Sequence, residues 1–503
     1  MTSALAEHPS PPRALPRPRR LFRTSRVALG FGIAASLVCF TGSWIPSFWG
    51  DEAASVMSAE RPLSSLFAML HTVDAVHGAY YFLLHFWIDL FGASELSVRL
   101  PSALAVGFVT AGTVVLAQWL FSRRVAAFSG IVCVLLPRFT YMGEEARSYA
   151  LSTAVAVWLT VLLVRLLVVH TRRTAAWAAY AVGLALGIYL FLYLALLVVV
   201  HGILILSSGR SRRLLRRWST TALLGLLAAA PVIAFGIAQR HQIAFLAHRH
   251  RVTVLQVVFD QWFGDLWLGL LCWAFVVLAV VLGLRPGRRS QPNGMVLLVA
   301  WLLVPTSLLL LGNAVVAPMY TNRYLSFCTP AAAILVAAGV AALPRNWMRI
   351  VSIGVLVTLA LPVYLSQRTE FGMPGGSDWA KASELIGQDA KPGDGILFDQ
   401  HVKPSWRPRL AMHLYPEDYL GLNDLALLTP YDETTGLWDR VIPQARIGTR
   451  LGSVSTVWAL ETTRSKEDAA NSDIHVLERN GFSVIHKVRI HRTIVYELTR
   501  STP

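Results

Sequence analysis

Long apolar runs separated by short polar segments make up most of this chain. A membrane-spanning helix needs about 20 consecutive, mostly apolar residues, and eleven segments approach this pattern, the third, fifth and sixth of them being short. The division of residues 175–207 into two segments is the least distinct. The pattern predicts eleven transmembrane helices, at residues 27–46, 100–121, 125–140, 148–168, 174–190, 192–208, 218–238, 266–284, 294–313, 325–343 and 347–366.

The segment between the first two predicted spans, residues 46–99, is too long for a plain connection. Within it, residues 63–70 and 80–91 carry aliphatic and aromatic side chains at helical spacing but are too short to cross a bilayer. We interpret them as helices that lie in the membrane interface. Residues 239–265 form a smaller counterpart between later spans.

Residues 368–503 have a different pattern, which is that of a soluble domain. They contain 16 of the 45 basic residues and 18 of the 29 acidic residues, so they are almost neutral. A helical pattern at 377–387 is followed by strand patterns at 396–398, 454–460 and 482–498. We therefore predict an α-helical polytopic membrane protein with a small C-terminal α/β domain, divided into a basic N-terminal segment 1–26, a transmembrane domain 27–367 and an α/β domain 368–503.

Composition agrees with a membrane protein, since 54% of the residues are hydrophobic, 15% are charged and the mean hydropathy is +0.51. The net charge of +16 does not indicate nucleic acid, because the arginines cluster between predicted spans. With eleven spans, all six clusters fall on one side, which the positive-inside rule assigns to the cytoplasm. The N-terminus is then cytoplasmic and the C-terminal domain extracytoplasmic. The clusters are Arg13 to Arg26, Arg123 and Arg124, Arg172 and Arg173, Arg210 to Arg217, Arg285 to Arg289, and Arg345 to Arg349.

The acidic residues provide a second indication of where the chemistry lies. Of the eleven that precede the C-terminal domain, only Glu7 falls on the cytoplasmic side of this topology. The four cysteines are scattered through apolar runs, without the paired spacing of a zinc site. His241, His248 and His250 lack a matched carboxylate spacing. These patterns do not indicate a metal site, and we predict that no metal is required because Arg147 and Arg323 are available to hold an anionic group.

An acidic pair, Asp51 and Glu52, follows the first predicted span directly. A carboxylate at the bilayer edge is costly unless it is paired or used. In a partly dry pocket it is suited to take a proton from a hydroxyl. The alternative is an ordinary helix N-terminus, and the sequence alone leaves both open.

The order of several short motifs resembles the GT-C superfamily. Between Trp44 and Leu151 it is similar to the polyprenyl-phosphate-sugar-dependent enzymes related to protein O-mannosyltransferases and to the aminoarabinose transferases of lipid A. The motifs are Asp51-Glu52, His77-Gly78-Ala79-Tyr80-Tyr81, Phe91-Gly92, Arg99-Leu100-Pro101-Ser102 and Glu144-Glu145-Ala146-Arg147-Ser148-Tyr149-Ala150-Leu151. Gly78-Ala79 stands where related chains have Pro-Pro after the histidine.

This resemblance implies a set of roles. Asp51 matches the family's catalytic base, with Glu52 as the neighbouring candidate, and direct displacement of a lipid phosphate implies inversion at the sugar. Arg147 and Arg323, the latter followed by Tyr324, are candidates for binding the donor phosphate. Further substrate-binding candidates are His77, Tyr80, Tyr81, Glu144, Glu145 and Tyr149.

Each of these assignments has a structural alternative. Arg147 would have a structural role if it forms a salt bridge to Glu144 or Glu145. Arg323 would have no role in phosphate binding if its side chain snorkels to the membrane interface. For His77, Tyr80 and Tyr81, the alternative is that they anchor the chain at the membrane interface.

The resemblance implies an inverting glycosyltransferase in the plasma membrane. It would take a sugar, mannose in preference to arabinose, from a polyprenyl phosphate and give it to a hydroxyl of a glycolipid, polysaccharide or protein in the cell envelope. A secondary transporter and a non-catalytic scaffold are the alternatives. A transporter usually has two matching halves, and the sequence shows no internal repeat.

Overall fold

The computed structural model describes residues 18–169, 173–209, 211–242, 252–283, 293–452, 454–463 and 473–500. Some sequence-based predictions concern residues outside these ranges, namely most of the N-terminal basic segment, Arg172, Arg210, the arginines at 285–289, and His248 and His250. The described part is mostly helical, and a small sheet lies near its C-terminal end.

Within the described ranges, sixteen α-helices precede the C-terminal domain. They are α1 (Pro18–Phe40), α2 (Gly50–Glu60), α3 (Leu63–Thr72), α4 (Gly78–Phe91), α5 (Glu95–Leu120), α6 (Arg123–Leu135), α7 (Pro137–Gly143), α8 (Tyr149–Val169), α9 (Thr174–Leu190), α10 (Leu197–Ser207), α11 (Arg212–Ala228), α12 (Ala230–Ala238), α13 (Leu266–Gly283), α14 (Gly294–Val315), α15 (Thr329–Ala342) and α16 (Asn346–Gln367).

The apolar helices correspond to the predicted spans. In the described ranges, six helices are long and apolar enough to cross a membrane, or eight if each of two bent pairs is one span. The pairs are α6 with α7, bent by 59° where Pro137 interrupts the helix, and α11 with α12, bent by 54°. The other three predicted spans coincide with the shorter apolar helices α1, α9 and α10. The protein is therefore a multi-pass membrane protein, and the count of eleven spans stays a prediction.

Residues 46–99, between the first two predicted spans, contain the α-helices α2, α3 and α4 and the start of α5, and α3 and α4 were predicted from their apolar spacing. Helix α2, which carries Asp51 and Glu52, was not predicted. Gly92 ends α4 with a left-handed backbone (φ 76°), which glycine adopts without strain. Ser94 then caps α5 by accepting a hydrogen bond from the Ser97 backbone N–H.

The C-terminal domain contains the predicted helix and strands. Its five-stranded sheet has the order β2-β1-β5-β7-β6, in which β1 pairs in parallel with β2 and β5, and β7 pairs antiparallel with β5 and β6. A separate antiparallel pair is formed by β3 and β4. The elements are α17 (Trp379–Asp389), β1 (Gly395–Phe398), α18 (Arg409–Leu414), β2 (Asn423–Asp424), β3 (Leu427–Thr429), β4 (Arg440–Val441), β5 (Thr456–Thr462), α19 (Asp473–Arg479), β6 (Phe482–Arg489) and β7 (Thr493–Arg500).

The segment 46–99 and the C-terminal domain share a hydrophobic core. Side chains of α2 to α4, such as Met57 and Tyr81, belong to the same buried cluster as Trp379 and Phe398. Arg61, at the end of α2, donates hydrogen bonds to the backbone carbonyls of Thr434 (2.8 Å) and Gly436 (2.5 Å). The domain is thus held against α2, the helix that carries the acidic pair.

Candidate active site

A cavity of about 500 Å³ lies between the start of α2, the ends of several membrane helices and the C-terminal domain. Its lining combines carboxylates, guanidinium groups and aromatic rings. The lining residues are Trp49, Gly50, Asp51, Pro137, Arg138, Tyr141, Asp260, Gly264, Thr321, Asn322, Arg323, Val363, Gln367, Pro374, Ser405 and Trp406.

Asp51 faces this cavity from the first turn of α2. The backbone is extended at Trp49 and helical from Gly50, so Asp51 and Glu52 stand about 100° apart around the helix axis. The Asp51 side chain is 31% exposed, and its Oδ2 lies 3.0 Å from Arg323 Nη1. Burial raises the pKa of Asp51, but the charges of Arg323 and then Arg147 outweigh burial and hold the pKa below its ordinary value.

Glu52 points into the protein interior. Its carboxylate accepts hydrogen bonds from Arg99 Nε (2.8 Å) and Nη2 (2.6 Å), and from the backbone N–H of Ala146 (2.8 Å). The side chains of Glu52 and Arg99 are both fully buried. Arg99 also donates to the carbonyls of Ser43 (2.6 Å) and Pro46 (2.7 Å), so this pair joins α2, α5 and the end of the first span.

Arg323 is the second residue of the short 3-10 helix Asn322–Cys328, which leads into α15. Its guanidinium lies over the Trp49 ring, 4.6 Å from the centroid, and its Nη1 is also 3.8 Å from Glu145 Oε2. Its side chain is 13% exposed and lines the cavity. Arg323 is therefore a largely buried cation beside Asp51, and its side chain does not snorkel to the surface.

Arg147 lies behind Asp51. Its Nη1 donates to the Asp51 backbone carbonyl (3.1 Å) and to Ser55 Oγ (3.1 Å), and its Nη2 lies 3.2 Å from His77 Nε2. Burial and then the charge of Arg147 lower the pKa of His77 to about 3, so His77 is neutral and accepts from the guanidinium. Arg147 is not among the cavity-lining residues, and its contacts are with α2 and His77, not with Glu144 or Glu145 as the structural alternative supposed.

Glu144 and Glu145 occupy the turn between α7 and α8 and are both buried. Glu144 pairs with Arg368 at 2.9 Å. Within the described residues, neither carboxylate oxygen of Glu145 has a hydrogen-bond partner, and Arg323 is its nearby cation. Burial, only partly offset by Arg323, raises the pKa of Glu145 to about 7.

The four tyrosines of the predicted substrate site lie outside the cavity lining. Tyr81 donates to Asp74 Oδ2 (2.8 Å), and Tyr80 is buried beside it on α4. The ring centroids of Tyr149 and Tyr324 are 6.4 Å apart, and Phe191 packs against Tyr149 in the same aromatic group.

Other residues that line the cavity were not predicted. Arg138 donates to the backbone carbonyls of Gln261 (3.0 Å) and Asp260 (2.7 Å). These bonds hold the segment that contains both residues at the cavity wall. Ser405 and Trp406 come from the C-terminal domain. Arg138 carried a sequence signal, being a lone arginine in an apolar run that is predicted to end outside. Trp406 carried none, because its place in the cavity depends on how the domain packs.

No group of three His, Cys, Asp or Glu side chains in the described ranges is arranged to hold a metal ion. Metal independence therefore stays a prediction.

Comparisons with known proteins agree with this architecture. A family model described as dolichyl-phosphate-mannose-protein mannosyltransferase matches residues 79–235. No curated protein sequence matches the chain.

Three solved structures give fold-level matches. The apo structure of ArnT from Cupriavidus metallidurans aligns with a TM-score of 0.58 at 15% identity, covering 93% of this chain and 97% of that one. The same protein bound to undecaprenyl phosphate aligns with a TM-score of 0.55 at 14% identity, covering 96% and 98%. The apo oligosaccharyltransferase of Archaeoglobus fulgidus aligns with a TM-score of 0.51 at 9% identity, covering 88% of this chain and 70% of that one. The chain thus shares its fold with the bacterial protein over more than nine-tenths of both chains.

Proposed function

We propose that this chain, which belongs to the GT-C superfamily of glycosyltransferases, is an inverting enzyme that transfers a sugar from a polyprenyl phosphate to a hydroxyl group outside the cytoplasm. The family-model match over residues 79–235 and the fold-level matches agree with the prediction made from the motif order. The observation that supports the reaction is the Asp51 carboxylate, which faces a cavity of about 500 Å³ beside the guanidinium of Arg323.

Asp51 is the general base of this reaction. It takes the proton of the acceptor hydroxyl while that oxygen forms a bond to the anomeric carbon. The bond between the anomeric carbon and the phosphate oxygen breaks, and polyprenyl phosphate leaves as an anion. A single displacement of this kind inverts the anomeric configuration, and the anionic leaving group needs no carboxylic acid to protonate it.

Glu52 has a structural role in this proposal. Its carboxylate is fully buried and is occupied by Arg99 and the Ala146 N–H, so it does not reach the cavity. We therefore propose Asp51, and not Glu52, as the base.

The donor phosphate binds at Arg323, with Arg138 as the second guanidinium group of the cavity lining. Guanidinium binds phosphate oxygens with paired, charge-assisted hydrogen bonds. Arg147, which was the other sequence-based candidate, holds the backbone of Asp51 and so positions the base. The ArnT structure bound to undecaprenyl phosphate supports this class of lipid carrier.

Mannose is the proposed sugar, on the strength of the description of the matching family, with arabinose as the alternative. The acceptor belongs to the cell envelope, and no metal is required. Activity that is lost in EDTA and restored by magnesium or manganese would contradict the last point. A secondary transporter has no support from the fold, which is that of glycosyltransferases.

The proposed topology places the N-terminus in the cytoplasm and the C-terminal domain outside. It rests on the arginine clusters and on the gathering of the acidic groups near Asp51. Protease added to intact cells is expected to cleave the C-terminal domain, and complete protection would reverse the orientation.

The activity is tested with purified protein in lipid nanodiscs. Radiolabelled polyprenyl-phosphate mannose and polyprenyl-phosphate arabinose are supplied in parallel with an envelope-lipid extract. Transfer of label from one donor identifies the sugar. If neither donor supports transfer, and undecaprenyl phosphate does not bind, the scaffold alternative is favoured.

A further inference from the structure

The cavity has two chemically different walls. The wall built from the membrane part carries the guanidinium groups of Arg138 and Arg323. The wall built from the C-terminal domain carries Ser405 and the indole of Trp406. An anionic phosphate is attracted to the first wall, because both arginines of the cavity lining belong to it.

The second wall lies directly against the start of α2. A Cβ atom added to Gly50 would lie 2.0 Å from the carbonyl oxygen of Ser405, so only glycine allows the two backbones to approach this closely. Asp51 is the next residue. Because a general base must lie within hydrogen-bond reach of the hydroxyl that it deprotonates, the acceptor has to enter beside this wall.

Trp406 is held in place on this wall. The guanidinium of Arg492 lies over its ring, 5.5 Å from the centroid. A Cβ atom on Gly375 would come within 2.9 Å of the indole, so the ring packs closely on glycine backbone. The indole is half-buried and lines the cavity, which gives the wall a fixed, flat apolar surface.

Planar polar groups line the same cavity as Trp406. Asp260 and Asn322 line the same cavity and supply a carboxylate and an amide. A sugar ring has an apolar C–H face and a rim of hydroxyl groups, which complement an aromatic face and planar hydrogen-bonding groups respectively. The volume of about 500 Å³ suits a compact ligand of this kind.

A peptide acceptor fits these features less well. Extended peptides are commonly bound by pairing with an exposed sheet edge. The edge strands of the five-stranded sheet are β2 and β6, and neither contributes a residue to the cavity lining.

We infer that the acceptor is a saccharide, and that its sugar ring stacks on Trp406 next to Asp51. This inference rests on the proposed function and deepens it by assigning the class of acceptor. It also assigns the C-terminal domain a direct part in acceptor binding.

The test compares two acceptor classes and three variants. Octyl glycosides of mannose, galactose and arabinose serve as saccharide acceptors, and an octanoylated peptide rich in Ser and Thr serves as the other. The variants are Trp406→Ala, Trp406→Phe and, as a matched control, Trp438→Ala, which removes another half-buried tryptophan of the domain that does not line the cavity. Saturation-transfer NMR with the octyl glycosides measures binding without catalysis.

We expect transfer to at least one octyl glycoside and none to the peptide. Trp406→Ala should raise the KM for the glycoside by about tenfold or more, with the KM for the donor unchanged. Trp406→Phe should restore most of the affinity, and Trp438→Ala should behave as the wild type. Transfer to the peptide alone, or a Trp406→Ala variant with unchanged glycoside KM and NMR signal, would overturn the inference while leaving the glycosyltransferase activity intact. If the wild-type protein does not bind the donor, the result would instead count against the proposed function.

Discussion

The guanidinium of Arg323 lies 3.0 Å from the carboxylate of Asp51, and both side chains line the same cavity. The proposed phosphate-binding cation and the proposed base are therefore in contact before any substrate is present. This contact lowers the pKa of Asp51 and keeps the carboxylate ionised. It also means that a change at Arg323 affects both donor binding and the protonation of the base.

Replacement of Arg323 by Gln is expected to have two measurable effects. The KM for the donor should rise by about tenfold or more, because a charge-assisted hydrogen bond to phosphate is lost. The pKa of Asp51 should also rise, since burial then acts with less opposition. The rate should therefore begin to fall at a higher pH than in the wild type when the pH is lowered.

The profile of kcat/KM between pH 4.5 and 8 measures this shift. Arg323→Lys should show a smaller effect on both quantities, and Arg240→Gln, at an exposed arginine outside the cavity, should show none. An unchanged donor KM in Arg323→Gln would remove Arg323 from the phosphate site.

The Glu52–Arg99 pair is predicted to act on stability, not on the chemical step. Removing one partner of a buried ion pair leaves the other charge uncompensated and typically costs about 3–5 kcal/mol. Glu52→Gln should therefore lower the free energy of unfolding and the yield of folded protein, whereas Asp51→Asn should alter neither. Denaturation in detergent, followed by tryptophan fluorescence, compares the two variants. A stable but inactive Glu52→Gln protein would make Glu52 the base after all.

Glu145 predicts a pH dependence of stability. Its pKa in the folded protein is about 7, above the ordinary value of 4.5, because burial disfavours the charged form. Between pH 4.5 and about 7, the folded state therefore binds more protons than the unfolded state. The stability that this provides is fully present below the ordinary pKa and is lost as the pH rises through about 7.

The Tm should thus fall between about pH 5 and pH 8, and Glu145→Gln should make this fall smaller. Glu370→Gln, at an exposed acid, is the control and should leave the slope unchanged. A slope in Glu145→Gln equal to that of the wild type would show that Glu145 is ionised throughout this range.

Gly50→Ala tests the contact between α2 and the C-terminal domain. The new methyl group would lie 2.0 Å from the Ser405 carbonyl oxygen, so the backbone of this loop has to move away from Asp51. We expect sugar transfer to fall by about tenfold or more, because the acceptor wall is displaced from the base, while binding of undecaprenyl phosphate is retained. Gly30→Ala is the matched control, since nothing lies within 4 Å of a Cβ at that position. Equal transfer by both variants would argue against a role for this contact.

Much of the fold was predictable because it follows local rules. Apolar periodicity gave the membrane helices and α3 and α4, and alternation gave the strands of the C-terminal domain. Helix α2 was not predicted, since its short, alanine-rich sequence Gly50–Glu60 has no clear apolar stripe. Nine of its eleven residues are buried, in the core that α2 shares with α3, α4 and the C-terminal domain.

The candidate site was predictable only in part. Asp51, Glu145 and Arg323 were named from the sequence, and the structure places them in contact. The different roles of Asp51 and Glu52 could not be predicted, because they depend on helix α2, which directs the two side chains to different sides, and on Arg99, which pairs with Glu52. Trp406 and Arg138 depend on long-range packing, which neither periodicity nor motif spacing reports.

The central claim is that Asp51 removes the proton from the acceptor hydroxyl, and the most direct measurement is the rate of sugar transfer by Asp51→Asn. The amide keeps the shape of the side chain but cannot accept the proton. We predict that kcat falls by about 10² to 10⁴, with folding and undecaprenyl phosphate binding retained. Asp89→Asn, at an acid of α4 whose side chain is 61% exposed, should keep full activity. Transfer by Asp51→Asn at the wild-type rate would contradict the account.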